Sequence, residues 1–372
     1  MRRMRPTAAA RRALTASGLA LALAAGAGAA TADAAPGGPG KVAQPGSHAA
    51  LHVVWRNLHL LNGWHGRPYG TAVPQAALIS GIVHLKGAIR TSGSNNLAFD
   101  LPSGFQPDAT VVVPVDLCGA SHGDLVIYSS GSVYVQAQDN GVAPYQCFTS
   151  LDGASFSPSA IGFTRLTLLN GWLNSHEFGT RSPRARAISG IVHLMGSLSG
   201  GAGNPVFVLP RRLRPRANVI VSVDVCHIRP GLLDIAANGT AELFDAHASA
   251  DAVCFTSLDG ASFALSSTGF TKLKLRNGWK WFGSPAARPQ VKNVGGIITF
   301  QGEMMTNSHN SLAFVLPRGF RPRAMVYVQA GMGSVDSGRL VIYPNGRVFV
   351  EAEQHFADAQ FLTSLDGVSF GL

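Results

Sequence analysis

The chain has 372 residues, of which 46% are hydrophobic and only 13% charged. The charged share is about half the usual ~25%, and the apolar content is ample for several cores, which excludes disorder for the bulk of the chain. With 43 Gly and 21 Pro, it is too rich in turn formers for a helical bundle or coiled coil, so a turn-rich β protein is expected. The net charge of +10 is not one basic surface. The first 35 residues hold five Arg and one Asp, and the remainder holds 25 basic and 19 acidic residues.

In chain order, Arg2 to Arg12 form a basic region, Leu14 to Ala30 an apolar one, and Ala32-Asp33-Ala34 fits an A-x-A cleavage site. Residues 1–34 therefore read as a secretory signal peptide. Arg11-Arg12 resembles a twin-arginine export signal, so the export route stays open between the two systems. No later apolar run of about 20 residues exists, so no stable membrane anchor is expected. Residues 35–50 read as a Pro/Gly-rich linker.

Beyond the linker the chain repeats itself three times. Leu58–Trp64, Leu166–Trp172 and Leu273–Trp279 share L-x-L-x-NGW and lie 108 and 107 residues apart. Each is followed by GIVHL or GIITF, from Gly81, Gly190 and Gly296, then by F-x-LP from Phe99, Phe207 and Phe314. Each copy closes on TSLDG, from Thr149, Thr256 and Thr363. A period near 107 is the size of a small domain rather than of a solenoid repeat. The domains are placed at 51–160, 161–267 and 268–372, with junctions short enough for contact.

Within a copy, alternating runs such as Ala217–Cys226 and turn signals such as Ala237-Asn238-Gly239 give seven or eight short strands, with no helical periodicity. The expected fold is all-β: three tandem jelly-roll-like antiparallel β-sandwich domains.

Four cysteines allow three pairings. Cys118 is equivalent to Cys226 and Cys147 to Cys254, and the third copy lacks both positions. Joint loss is what bonded pairs predict, so Cys118–Cys147 and Cys226–Cys254 are expected, consistent with export. No C-x-x-C spacing occurs, and neither a metal centre nor a cofactor is expected.

The motif order L-x-L-x-NGW, GIVHL, F-x-LP, SLDG-x-SF resembles a C-terminal domain of tail-fibre and minor tail proteins of phages of Gram-positive bacteria. The resemblance covers residues 51–372 three times. It implies a compact β-sandwich, often trimeric, that contacts host-surface glycans or polymers. The leader marks this chain as a secreted relative, and its composition is that of a high-GC, actinobacterial source. Three copies in one chain raise the expectation that they close around a pseudo-threefold axis, mimicking the trimer.

Catalytic signals are weak. Gly119-Ala120-Ser121-His122-Gly123 spells G-x-S-x-G, but a strand signal follows where a nucleophile elbow needs a helix. His84 and His193 are matched by Thr299 in the third copy, which suits a semi-polar strand position. Asp152, Asp259 and Asp366 read as turn residues. No acidic pair recurs for glycosidase chemistry, and no motif supports nucleic-acid binding. The expectation is a non-enzymatic protein that binds an extracellular glycan or anionic cell-wall polymer, with a structural role in protein–protein contact as the alternative. A hydrolase with an unrecognised site is the third reading. Candidate ligand residues are Trp64, Trp172, Trp279 and Trp281, whose rings could stack on sugars, and Arg212, Arg214, Arg318 and Arg321, which follow the LP motif.

Overall fold

A computed structural model describes residues 53–138, 141–246 and 250–372. The expected signal peptide and linker lie outside the described residues. Residues 51–372 form one compact unit. It is all-β and antiparallel, and its α-helix is confined, among the described residues, to three pieces of five or six residues.

Each repeat builds two layers from the same strands in the same order. One layer is a four-stranded sheet, exemplified by Thr164–Arg165, Arg184–Ile188, Ile191–Met195 and Ser262–Ala264 in the second repeat. The other is built on the long hairpins, Val219–Val225 with Arg229–Ile235 and Thr240–Asp245 in the same repeat. Alternation explains these strands. Val219, Val221, Val223 and Val225 are all buried, and they point to one side of the sheet because successive side chains alternate. In the second repeat this layer is one seven-stranded sheet. In the first and third it splits in two, joined by the single bridges Leu117↔Thr149 and Met332↔Thr363. Three separate apolar cores result, each drawn from one repeat.

The three NGW tryptophans plug these cores. Trp64, Trp172 and Trp279 are 3–5% exposed, and their indole N–H groups donate to the carbonyls of Asn95, Gly203 and Asn310. Their rings are therefore unavailable for stacking on a sugar. Only the Asn-Gly turn preceding each Trp is at the surface, where Asn62, Asn170 and Asn277 adopt positive φ.

The disulfides are Cys118–Cys147 and Cys226–Cys254. Each fastens a one-turn helix, Ala143–Cys147 or Ala250–Cys254, to the end of a hairpin strand. These helices were not legible in the sequence, because a single turn is too short to establish a period. In the third repeat a ring takes the bridge's place. A Cβ on Gly333 would lie 2.6 Å from Cδ1 of Phe361, the residue standing where the other copies have their second cysteine.

The TSLDG motif joins one repeat to another. Ser150 donates to the carbonyl of Tyr327, Ser257 to that of Val112 and Ser364 to that of Ile220, at 2.5–2.7 Å. The contacts run first to third, second to first and third to second. Parallel bridges Thr71↔Met325, Thr110↔Thr180 and Asn218↔Ala286 have the same cyclic order at equivalent positions. Each repeat thus touches both others through equivalent surfaces, and the strand ends that a linear string would leave free are paired.

The aspartate of each motif braces its own repeat. Asp152, Asp259 and Asp366 accept from the backbone N–H of Gly87, Gly196 and Gly302. Those glycines have φ of 84–102°, and a Cβ there would strike neighbouring carbonyls. Burial pushes the three carboxyls up, to about 7, 6 and 7, and one oxygen of each lacks a partner.

Ser257→Ala should cost about 1–3 kcal/mol, the penalty of leaving a buried carbonyl unpaired. A thermal melt indistinguishable from wild type would show that the inter-repeat hydrogen bond does not hold the repeats together. Because the folded Asp259 carboxyl binds its proton more tightly than the unfolded one, its contribution is full below pH ~4 and lost as pH rises through about 6. Asp259→Asn should match wild type near pH 4 and exceed it in melting temperature at pH 8. An equal difference at both pH values would contradict this.

Candidate functional site

The hairpin Gln75–Ile79/Ile82–Lys86 turns on Ser80-Gly81, both at positive φ, as a two-residue primed turn requires. Arg184–Ile188/Ile191–Met195 turns on Ser189-Gly190 in the same way, and Gln290–Val294/Ile297–Gln301 on Gly295-Gly296. Alternation then divides each inner strand between two destinations. Val83 and Leu85 enter their own repeat's core. Ile82 and His84, on the opposite face, line a cavity of about 360 Å³ shared by all three repeats. Ile191 and His193 do the same from the second repeat, and Ile297 and Thr299 from the third.

The polar groups of this cavity come as three cross-strand pairs. His84 lies opposite Ser155, His193 opposite Ser262 and Thr299 opposite Ser369. The serines belong to the SF that ends each repeat's closing motif, so all three pairs have the same origin in sequence. The turn residues Ser80, Ser189 and Gly295 are exposed at the rim, which opens the cavity to solvent. Burial, and then the neighbouring His193, pushes His84 down to about 3, and burial pushes His193 down to about 4. Both imidazoles are neutral at pH 7. No carboxylate lines the cavity among the described residues. Lys292 also lines it, with its ammonium donating to the carbonyl of Thr268 at 3.2 Å, and the other polar groups are uncharged donors and acceptors beside isoleucine side chains. That chemistry suits hydrogen bonding to a neutral polyhydroxylated ligand and lacks the paired acids of glycoside hydrolysis.

The residues singled out as ligand candidates lie elsewhere. Trp281 is half-buried, its indole N–H faces the carbonyls of Ala286 and Ala287, and the Arg288 guanidinium sits 4.2 Å above its ring. Arg214 and Arg321 are structural braces. Each donates from Nε to the leucine carbonyl of its LP motif, Leu209 or Leu316, and packs against a hairpin glycine, Gly239 or Gly346. Arg212 and Arg318 are exposed, and Arg212 donates to Thr164 Oγ1. None of these residues borders the shared cavity. Ser121 donates to the carbonyl of Cys118 and precedes the strand His122–Ile127, so no nucleophile elbow forms.

Repeat register was the signal that could have located the cavity. His84, His193 and Thr299 occupy one position in three copies, and a closed arrangement brings equivalent positions together. Exchange of His for Thr between copies, read in one dimension, concealed this.

The two histidines give the cavity a pH signature. Their folded pKa values lie below the unfolded value of 6.5, so protons bind the unfolded chain preferentially and stability falls as pH drops below about 6.5. Replacing both with Gln should remove part of that acid loss, so the variant gains on wild type between pH 7 and pH 4. Parallel stability curves over this range would place the imidazoles in water.

Comparison with protein-family models, with curated proteins and with solved structures gives no match to this chain, and the geometry alone carries the functional reading.

Proposed function

We propose that this is a secreted, non-enzymatic binding protein whose three repeats act as a built-in trimer and whose shared cavity takes a neutral glycan. The convergence of His84/Ser155, His193/Ser262 and Thr299/Ser369 on one solvent-open cavity carries this reading. Sugars present hydroxyls and apolar C–H faces, and the cavity pairs His, Ser and Thr side chains with isoleucines. Its volume lies in the range of small-ligand sites. The disulfides suit an oxidising, extracellular compartment, and no helix among the described residues is long and apolar enough to cross a membrane. The resemblance of the motifs to phage tail-tip domains points to the same class of ligand.

The test is a screen of the mature protein against neutral oligosaccharides and purified cell-wall polymers at low and high salt. Because the ammonium of Lys292 is engaged by the Thr268 carbonyl, binding through the His, Ser and Thr groups should survive high salt, with no ion pair to be screened. His84→Ala with His193→Ala should weaken it about tenfold or more, the equivalent of one or two lost hydrogen bonds. Arg212→Ala with Arg318→Ala should leave it unchanged. Binding confined to anionic polymers and abolished by salt would move the site to the arginine loops. No retention on any glycan would refute the reading.

A further inference from the structure

A second cluster lies where the hairpin strands of the three repeats meet, away from the glycan cavity and independent of its function. Strand Val111–Asp116 pairs with His122–Ile127, and the equivalent hairpins are Val219–Val225 with Arg229–Ile235 and Val326–Gln329 with Gly338–Ile342. Asp116, Asp224 and Gly331 are equivalent, as are Asp124, Leu232 and Arg339. Each member of the first set faces a member of the second across a junction between repeats.

Two of these junctions are chemically matched. Arg339 of the third repeat donates to the buried Asp116 of the first at 3.2 Å and also pairs with Glu351 of its own repeat. Between the second and third repeats, Leu232 packs on Gly331, where a Cβ would lie 2.9 Å from Leu232 Cδ2. The junction of the first and second repeats is not matched. There Asp124 meets Asp224, both about 2% exposed, with their carboxyl groups in mutual hydrogen-bond contact. His122 is fully buried beside them. Its Nε2 stands 3.0 Å from Asp224 Oδ1 and 3.9 Å from Asp124 Oδ1. Asp124 Oδ1 has no hydrogen-bond partner. Where one junction holds a guanidinium against its carboxylate, this one holds a second acid and a free oxygen aimed at an imidazole.

We propose that His122, Asp124 and Asp224 bind a divalent transition-metal ion of the zinc type that locks the first repeat to the second. The three ligand atoms lie within 4.8 Å of one another. Ligand atoms about 2.0–2.2 Å from a tetrahedral zinc stand about 3.3–3.6 Å apart, inside the observed span of separations. One imidazole and two carboxylates suit zinc or manganese rather than an all-oxygen calcium site. Gln329 of the third repeat contacts His122 Nδ1 at 2.6 Å. The near amide atom is Nε2 of Gln329, and turning the amide over puts its oxygen there to accept from Nδ1–H, the tautomer that presents the imidazole Nε2 to the metal. All three repeats thus contribute, and a dication neutralises the two carboxylates as Arg339 neutralises Asp116. Burial means that the ion enters as the chain folds.

The full secreted chain, disulfides intact, is unfolded and refolded with Zn²⁺ or with a chelator, then desalted for elemental analysis and melting. One zinc per chain and a higher melting temperature with zinc are expected, with the zinc content of Asp224→Asn falling at least tenfold. Refolded wild type without stoichiometric zinc or manganese overturns the proposal, and leaves a proton between the two carboxyls. Zinc retained equally by Asp224→Asn also overturns it, by placing the ion elsewhere. Should Asp224→Asn fail to fold, Co²⁺ loaded into wild type reads the ligands directly. A visible absorption band with one histidine nitrogen coupled to the ion supports the site, and a hexa-aqua spectrum refutes it.

Discussion

The Ser hydroxyl of TSLDG is the contact on which the rest of the structure depends. Its proton goes to a carbonyl of the next repeat, and its oxygen accepts from the N–H of the Asp two residues on, at 3.2 Å in all three copies. That Asp in turn accepts from a glycine N–H in the opposite part of its own repeat. One short motif therefore couples a repeat's own closure to its attachment to a neighbour. The bonds recur in cyclic order, so loss of one junction does not free a repeat, which keeps its contact with the other neighbour.

Closure also decides where function-bearing residues meet. A β-strand sends alternate side chains to opposite faces. In each repeat one face of the GIVHL strand fills a private core, and the other face is turned toward the other repeats. Those outward faces would be apolar patches with buried-type histidines if a repeat stood alone. Brought together, they make a solvent-open cavity lined by His, Ser, Thr and Ile side chains. The hairpin strands behave alike around a smaller cavity of about 50 Å³ lined by all three repeats. Beyond the lining of that cavity, the same strands set Arg339 against Asp116 but Asp124 against Asp224.

The three copies share geometry and differ in chemistry. The disulfide of two repeats becomes Gly333 and Phe361 in the third. Gln106 packs against the hairpin glycine Gly131 in the first repeat, as Arg214 and Arg321 pack in the others. Arg214 and Arg321 are thereby explained as turn braces, and the exposed Arg212 and Arg318 do not border the cavity.

The sequence by itself determined the β class, the threefold repetition, the strand-and-turn order and the cysteine pairing. These follow from alternation, from turn residues with special φ and from joint loss of a bonded pair, all of which are written locally or copy by copy. Tertiary structure decided the rest. Whether an NGW tryptophan is a sugar platform or a core plug depends on which side of the turn the ring falls, and all three fall inward. The convergence of His84 with His193 and Thr299, and of the His122/Asp124 pair with Asp224, depends on residues about a hundred positions apart in separate copies. No spacing rule within one copy encodes it, because only the cyclic contacts among the repeats bring those faces together.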